Sequence, residues 1–184
     1  AGATIDPASG LFRWTPSEAD GPGVYRFSIR VTDDGRPPRS DSEPITVTVA
    51  EVNQPPILTT PTSARVDEGN TLTFTAAATD PDLPSQTLTF ELPPPNQPEG
   101  ARIDPVTGVF TWTPTEAQGP DTYQVFVGVY DDGEPRQYHG RFVIIAVHEV
   151  DNPPVFEPVG LQSVDELTPF SLRLVARDPD KASK

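Results

Sequence analysis

A direct repeat of 98 residues constrains this chain more than any other feature of its sequence. Ile5-Asp6-Pro7 recurs at Ile103-Asp104-Pro105, and Trp14-Thr15-Pro16 recurs at Trp112-Thr113-Pro114, with the same offset. Aligned without gaps, residues 1–86 and 99–184 are identical at 33 of 86 positions. Two copies this similar share one fold, so the chain is expected to be an array of equivalent units.

Two proline pairs mark where the units end. Pro55-Pro56 and Pro153-Pro154 each follow closely on a Glu-Val step, and consecutive prolines make a stiff, extended boundary. We therefore expect residues 1–54 to be the C-terminal part of one repeat and residues 55–152 to be a complete repeat. Residues 153–184 are then the N-terminal part of a following repeat.

Alternation of apolar and polar residues predicts that each unit is built from short strands. The clearest examples are Tyr25, Phe27, Ile29 and Val31 in the first copy, and Tyr123, Val125, Val127 and Val129 in the second. High proline content and net charge are also typical of disordered chains, but regular alternation favours a folded one. No stretch has a helical period. The prediction is an all-β chain of tandem Greek-key, seven-stranded β-sandwiches with essentially no helix.

Composition excludes several functional classes. The net charge of −14 disfavours nucleic acid as a partner, because the chain and the phosphate backbone repel each other. No apolar run approaches the roughly 20 residues of a membrane helix, so we expect no membrane insertion of this segment. There is no cysteine, which excludes disulfides and thiolate metal sites. Two histidines and no recognisable catalytic motif predict that the chain is not an enzyme. Glu116 and Asp121 could imitate a glycosidase pair, but a narrow sandwich has no evident cleft for them.

Several motifs carry a family resemblance that covers the whole chain. Asp104-Pro105-Val106-Thr107-Gly108 with Trp112-Thr113-Pro114 resembles the signature of bacterial cadherin-like domains, including the dystroglycan-type cadherin-like and "putative immunoglobulin" repeats. Residues 129–135 resemble the cadherin Ala-x-Asp-x-Gly-x-Pro element, and Asp80-Pro81-Asp82 resembles its Asp-x-Asp element. Residues 51–56 and 149–154 resemble a shortened cadherin linker. The resemblance implies the same Greek-key sandwich that the strand pattern predicts.

The acidic residues recur at fixed turn positions, which suits a hard cation. Ca²⁺ takes about six to eight oxygen ligands, mainly carboxylates and carbonyls brought together from separate loops. The resemblance implies one calcium site at each junction between repeats. At the first junction the implied ligands are Glu18, Asp20, Glu51, Asn53, Asp80, Asp82 and Asp131. At the second junction they are Glu68, Glu116, Glu149, Asp151, Asn152, Asp178 and Asp180.

Two departures from the family pattern affect this expectation. The linker is one residue shorter than the cadherin form, and Gln118 stands where the other copy has Asp20. We therefore expect one or two ions at each junction, and a weaker second junction. The simpler alternative is that the acids cap turns and keep the surface soluble. Asp6, Asp104 and one of Asp34 and Asp132 are expected to have that role.

The predicted function is structural and adhesive. We expect a tandem-repeat segment of a large secreted or cell-surface bacterial protein, stiffened by calcium at its junctions, with neighbouring repeats of the same chain as its first partners. One alternative is a subunit of an extracellular filament, in which identical chains associate head to tail by completing each other's partial repeats. Another is a spacer or carbohydrate-binding module of a secreted enzyme. Surface polysaccharide and other cell-surface proteins are further candidate partners.

Two sequence features bear on these alternatives. Trp14 and Trp112 are expected in the core or at its edge, with a sugar-stacking role as the alternative. In residues 141–149, both faces of the predicted strand are apolar. That strand is therefore expected to be covered on both sides or to contact another chain.

Overall fold

A computed structural model describes residues 2–95 and 97–180, and it confirms the all-β prediction. These residues form fifteen short strands and two single turns of 3₁₀ helix, Glu18–Asp20 and Glu116–Gln118. Within the described ranges no helix is long and apolar enough to cross a membrane. In chain order the strands are β1 Thr4–Ile5, β2 Phe12–Arg13, β3 Gly23–Thr32, β4 Ser40–Val49, β5 Ile57–Thr59, β6 Ser63–Asp67, β7 Leu72–Thr75, β8 Ala77–Thr79, β9 Thr89–Glu91, β10 Arg102–Ile103, β11 Val109–Trp112, β12 Asp121–Tyr130, β13 Tyr138–His148, β14 Val155–Phe156 and β15 Ala176–Arg177.

The chain divides into two compact units. The first contains the chain up to Ile57 together with Thr79–Leu88 and Tyr130–His139. The second contains Leu58–Ala78, Thr89–Val129 and the chain from Gly140 onward. Two loop regions of the predicted complete repeat thus group with the preceding partial repeat. The repeat boundaries inferred from the sequence remain a prediction.

The second unit contains a β-sandwich. Strands β10, β11 and β7 form one antiparallel sheet, and β6, β13, β12 and β9 follow one another in a second sheet. Strand β6 runs parallel to β13, with Val66 opposite Val147. The first strand of the sandwich is split into β5, which pairs with β8, and β6, which joins the second sheet. Pro61 lies in the break, where a residue without an N–H is tolerated.

The sandwich core comes from the alternating residues that the sequence pattern identifies. Val125, Val127 and Val129 of β12 are fully buried, as are Val143 and Ile145 of β13. In the opposing sheet Phe74 of β7 stacks on Phe110 of β11, with ring centroids 4.5 Å apart. Burial of such side chains is the main favourable term in folding, at about 25 cal/mol per Å² of apolar surface.

Tryptophan has a structural role in the second unit. Trp112 is only 1% exposed, and its indole N–H donates to the carbonyl oxygen of Glu99 at 3.1 Å. Its ring meets Tyr123 edge to face, at a centroid distance of 4.9 Å. The core position predicted for Trp112 is therefore confirmed, and this side chain has no exposed face for a sugar.

The first unit repeats part of this pattern with fewer strands. Its hairpin of β3 and β4 pairs over ten residues, from Gly23 opposite Val49 to Thr32 opposite Ser40. Trp14 meets Tyr25 edge to face at 4.7 Å, as their equivalents do in the second unit. Its aromatic side chains Phe12, Trp14, Tyr25 and Phe27 are half-buried rather than buried. They line an open groove of about 320 Å³, formed by Ala3, Phe12, Trp14, Tyr25 and Phe27.

The segment after the second proline pair forms little regular structure. Between Glu157 and Val175 the described residues contain no strand, although the equivalent residues 59–77 contribute to β5, β6, β7 and β8. Leu161 and Leu167 are fully exposed. An alternating sequence becomes a strand only when a neighbouring strand can accept its hydrogen bonds.

Strand β13 has one covered face. Val143, Ile145 and Val147 point into the core, whereas Phe142 and Ile144 are about half exposed. Phe142 contacts Phe126 of β12 on this outer face, with ring centroids 4.8 Å apart. The expectation that both faces are covered is wrong for these residues. The alternative, contact with another chain, stays a prediction.

The two repeats provide a matched test of the sandwich. Gly108 has a φ of +68°, and a Cβ there would overlap the carbonyl oxygen of Ala76. Gly10, at the equivalent position, has a φ of +70° with open space around it. We expect Gly10→Ala to cost about 1–2 kcal/mol, from left-handed backbone strain alone. Gly108→Ala is expected to cost about 1–3 kcal/mol more, because the backbone must also shift. Denaturant unfolding followed by circular dichroism measures both, and equal losses would contradict the packing described.

Candidate metal sites

Three carboxylates from two successive repeats meet in the first unit, and we call them the first acidic cluster: Glu18, Glu51 and Asp82. One oxygen atom of each lies within 4.8 Å of the others. Asp82 is 2% exposed, and its Oδ1 accepts no hydrogen bond. Oε1 of Glu51 is likewise buried without a donor. Because an anionic oxygen removed from water needs a donor or a cation, this donor set fits a hard divalent ion.

Hydrogen bonds from the linker fix the orientation of this cluster. The backbone N–H of Gln54 donates to Asp82 Oδ2 at 2.8 Å, and its side-chain amide donates to Glu18 Oε2 at 2.9 Å. The N–H of Leu83 donates to Glu18 Oε1 at 3.0 Å. Asp80 Oδ1 accepts from the N–H of Asp82 at 2.9 Å, while Asp80 Oδ2 is buried without a donor. These bonds hold Asp80 and Asp82 through one oxygen each and Glu18 through both of its oxygens.

Burial and mutual repulsion both act on these groups. Burial, followed by the charges of Glu18 and Asp82, raises the pKa of Glu51 above its ordinary value. Burial also raises the pKa of Asp80, and the charges of Asp82 and Asp131 act in the same direction. A cation placed among the oxygens would remove that repulsion.

A second acidic cluster lies in the second unit and consists of Glu68, Glu116 and Glu149. One oxygen of each again lies within 4.8 Å of the others. Glu68 is 6% exposed, and only its Oε1 accepts a hydrogen bond, from the N–H of Val150 at 3.1 Å. Both oxygens of Glu149 are buried without a donor. Burial and the adjacent Glu68 carboxyl raise the pKa of Glu149 to about 7.

The linker beside the second cluster repeats the contacts of the first linker. The backbone N–H of Asn152 donates to both oxygens of Asp180, at 3.0 and 2.8 Å. Its side-chain amide approaches Glu116 Oε2 at 3.4 Å. Asp178 accepts from the N–H of Asp180 at 3.1 Å. Asp151 and Asp178 are exposed.

Some predicted ligands have other hydrogen-bonding roles. Asp20 accepts from the backbone N–H and hydroxyl of Ser17, at 2.9 and 2.7 Å, and these contacts lower its pKa. Gln118 makes the same contact with the N–H of Thr115 at 2.9 Å. Asn53 and Asp131 bind each other, with Asn53 Nδ2 donating to Asp131 Oδ2 at 3.1 Å. The structure brings these residues near the clusters but not into them.

Two amides beside the first cluster, Gln54 and Gln86, were missed by the sequence reasoning. Gln54 is equivalent to Asn152, so the two copies both place an amide directly before the proline pair, and that signal was available. Gln86 gave no signal. Its equivalent is Lys184, which lies outside the described residues.

The expected turn-capping role is confirmed for Asp6 and Asp104. Asp104 Oδ1 accepts from the N–H groups of Val106 and Thr107 at 2.9 and 2.7 Å, which lowers its pKa, the Thr107 bond contributing most. Asp6 makes the equivalent bonds with Ala8 and Ser9, at 2.9 and 2.8 Å. Asp132 accepts instead from the N–H of Thr87 at 2.8 Å, a residue 45 positions away in the sequence, so it does not cap its own turn.

Comparison with known proteins agrees with the fold. Residues 55–145 match the family described as "He_PIG: Putative Ig domain". The chain is homologous to that putative Ig domain and to cadherin domains. Rat cadherin-23 is 29% identical over 143 residues, which cover 72% of this chain and 4% of that protein. The chain is thus far shorter than this curated relative and matches only a small part of it.

Solved structures show the same fold. The structure of the protocadherin GammaB4 extracellular domain superimposes with a TM-score of 0.55 at 21% identity, covering 99% of this chain and 34% of that one. A protocadherin gammaB7 EC3-6 cis-dimer structure gives a TM-score of 0.55 at 21% identity, covering 90% of this chain and 46% of its own. The cadherin-like β-sandwich is therefore confirmed.

The crowded carboxylates predict an unusual response to charge removal. We expect Glu149→Gln to raise the melting temperature by a few degrees at pH 8 in the presence of a chelator, because it removes a charge repelled by Glu68 and Glu116. The exposed Glu43→Gln makes the same chemical change away from any cluster and should leave the melting temperature nearly unchanged. Differential scanning calorimetry gives both values. A lower melting temperature of Glu149→Gln would show that other groups of the protein compensate the charge of Glu149.

Proposed function

We propose that this chain is a structural, adhesion-type segment of a secreted or cell-surface protein, in which calcium stiffens the junctions between successive repeats. The observation that carries the proposal is the first acidic cluster. It joins Glu18 and Glu51 of one repeat to Asp82 of the next, and the buried Asp82 keeps an oxygen without a hydrogen bond. The extracellular setting is supported by the homology to cadherin-23 and by the similar fold of a protocadherin extracellular domain.

The proposed ligands are those with buried, unpartnered oxygens and their immediate neighbours. At the first junction these are Glu18, Glu51, Asp80 and Asp82. At the second they are Glu68, Glu116, Glu149, Asn152 and Asp180. When bound, Ca²⁺ supplies positive charge and accepts several oxygens at once, which suits carboxylates grouped this closely. The ion pair between His148 and Asp67 lies outside both clusters.

A mechanical role follows from the geometry of a linear array. Repeats in such an array contact only their neighbours, so the junctions decide how stiff the whole is. A cation bound by two repeats at once would connect the end of a strand pair in one repeat to the turns of the next repeat. The neighbouring repeats of the same chain are then the first partners of each unit. An enzymatic role has no support, because the family match and the relatives are adhesion-type repeats. The bacterial source stays a prediction from the sequence resemblance.

A second candidate function is head-to-tail association of identical chains. The observation that favours it is a pair of complementary apolar surfaces. The groove lined by Phe12, Trp14 and Phe27 is open, while Phe170 and Leu172 are about half exposed. Their equivalents in the complete repeat, Leu72 and Phe74, pair with Trp112 and Phe110. A second copy could supply a strand to this groove, and in a longer chain the N-terminal part of the same repeat would supply it.

A carbohydrate-binding role gains no comparable support. The sequence alternative required exposed aromatic rings on one sheet face, and Trp112 is in the core. On the outer face of the second sheet the half-exposed Phe142 contacts the partly buried Phe126.

Calcium is expected to stabilise the chain by mass action. A ligand that binds only the folded state at 100 times its dissociation constant adds about 2.7 kcal/mol of stability. We expect millimolar calcium to raise the melting temperature clearly above its value in chelator. Isothermal titration calorimetry should show the same binding directly. The double variant Glu51→Gln and Glu149→Gln removes one carboxylate from each cluster and should lose most of the shift.

The control for this experiment is the double variant Asp41→Asn and Glu43→Gln. It removes the same number of charges from exposed positions on β4 and should keep the full calcium response. Equal melting temperatures of the unmodified chain in calcium and in chelator would exclude the calcium junction. Light scattering at rising concentration tests head-to-tail association separately, and a strictly monomeric particle would exclude it.

A further inference from the structure

We propose that the side-chain amides of Gln86 and Asn53 form a bridge between two buried carboxylates, Asp82 and Asp131, and that this amide bridge takes the place of a second cation at the first junction. Cation binding there is then confined to the other side of Asp82, where the first acidic cluster lies. The inference rests on the proposed function only for the identity of that cation. The bridge itself is a property of the protein alone.

Asp131 is completely satisfied by donors of this chain. It is 0% exposed, and its Oδ1 accepts from the backbone N–H groups of Gly133 and Gln137 at 3.0 and 2.9 Å. Its Oδ2 accepts from Asn53 Nδ2 at 3.1 Å. A buried carboxylate with three N–H donors is stabilised in its charged form without any positive ion.

Gln86 completes the bridge to Asp82. Its Nε2 donates to Asp82 Oδ2 at 3.0 Å and also donates to Asn53 Oδ1. The side-chain amide of Asn53 in turn donates hydrogen bonds to Asp131 and to the carbonyl oxygen of Pro135, the latter at 2.8 Å. The N–H hydrogens of both amides therefore point at oxygen atoms that could otherwise coordinate a cation.

The surrounding backbone is shaped to hold this arrangement. A Cβ at Gly133 would overlap the amide group of Asn53, so glycine is required for Asn53 to lie where it does. Gln54 places a further N–H on Asp82 Oδ2 at 2.8 Å. All hydrogen bonds to Asp82 thus reach Oδ2, and Oδ1 is left for the acidic cluster.

The two sides of Asp82 consequently differ in kind. On one side every carboxylate oxygen that the bridge contacts has at least one N–H donor. On the other side Asp82 Oδ1, Glu51 Oε1 and Asp80 Oδ2 have none. Amide hydrogens repel a cation, whereas bare carboxylate oxygens attract it. The junction should therefore bind fewer ions than its count of acidic residues suggests.

The test replaces an amide by an isosteric carboxylate. Gln86→Glu replaces the amide donor with a carboxylate and so adds one more acid beside Asp82. We therefore expect a lower melting temperature at pH 8 in chelator. Native mass spectrometry in calcium should show one more bound ion than the unmodified chain, and the lost thermal stability should return. Gln86→Leu removes the donors without adding charge, and it should lower the melting temperature in chelator while leaving the number of ions unchanged.

Each outcome separates the competing roles of Gln86. Loss of an ion in Gln86→Leu, or tighter binding with an unchanged count in Gln86→Glu, would identify Gln86 as an ordinary ligand through its Oε1 and overturn the bridge. Unchanged melting temperatures of both variants would overturn it as well. The exposed Gln124→Glu is the matched charge control and should change neither readout. If the unmodified chain binds no calcium but both Gln86 variants are destabilised in chelator, the bridge stands and the calcium function fails.

Discussion

Removal of carboxylates from water is the constraint on which the junctions of this protein depend. A carboxylate buried without hydrogen bonds or opposite charge is strongly unfavourable, and Asp82, Asp131 and Glu68 are all nearly inaccessible to solvent. With 27 acidic and 13 basic residues, the chain cannot pair each acid with a cationic side chain. Backbone N–H groups and amides satisfy some of these acids. The remaining acids have carboxylate oxygen atoms that lie within a few ångströms of one another.

The repeat itself explains why such groups form. In each linker a glutamate follows a long strand and precedes a rigid proline pair. The backbone N–H of the residue directly before the prolines donates to a carboxylate 28 residues further along the chain: Gln54 to Asp82, and Asn152 to Asp180. The stiff linker fixes the distance between the strand that precedes it and the turns that follow it. Acids that are about thirty residues apart in the sequence are therefore brought together by the same local geometry in both copies.

The fold could be predicted from the sequence because it depends on local patterns. Alternation identified Val125, Val127 and Val129 as core residues, and the turn motif identified Asp104 as a cap. What could not be predicted depends on partners. Phe170 and Leu172 carry the same pattern as Leu72 and Phe74, yet they form no strand, because the described chain offers them no neighbour. The positions of Asn53 and Asp131 depend on where side-chain amides donate, and composition and spacing contain no information about that choice.

The two junctions differ at a position that the sequence comparison did not emphasise. A weaker second junction was expected because Gln118 replaces Asp20. However, each residue caps the 3₁₀ turn of its own copy, and neither lies in an acidic cluster. The difference that matters electrostatically is that the first junction has Asn53 where the second junction has Asp151. In the first junction that position provides an amide donor to Asp131, whereas in the second it provides an exposed carboxylate. An amide reduces the need for a cation and a carboxylate increases it, so charge balance gives no reason for the second junction to be the weaker one.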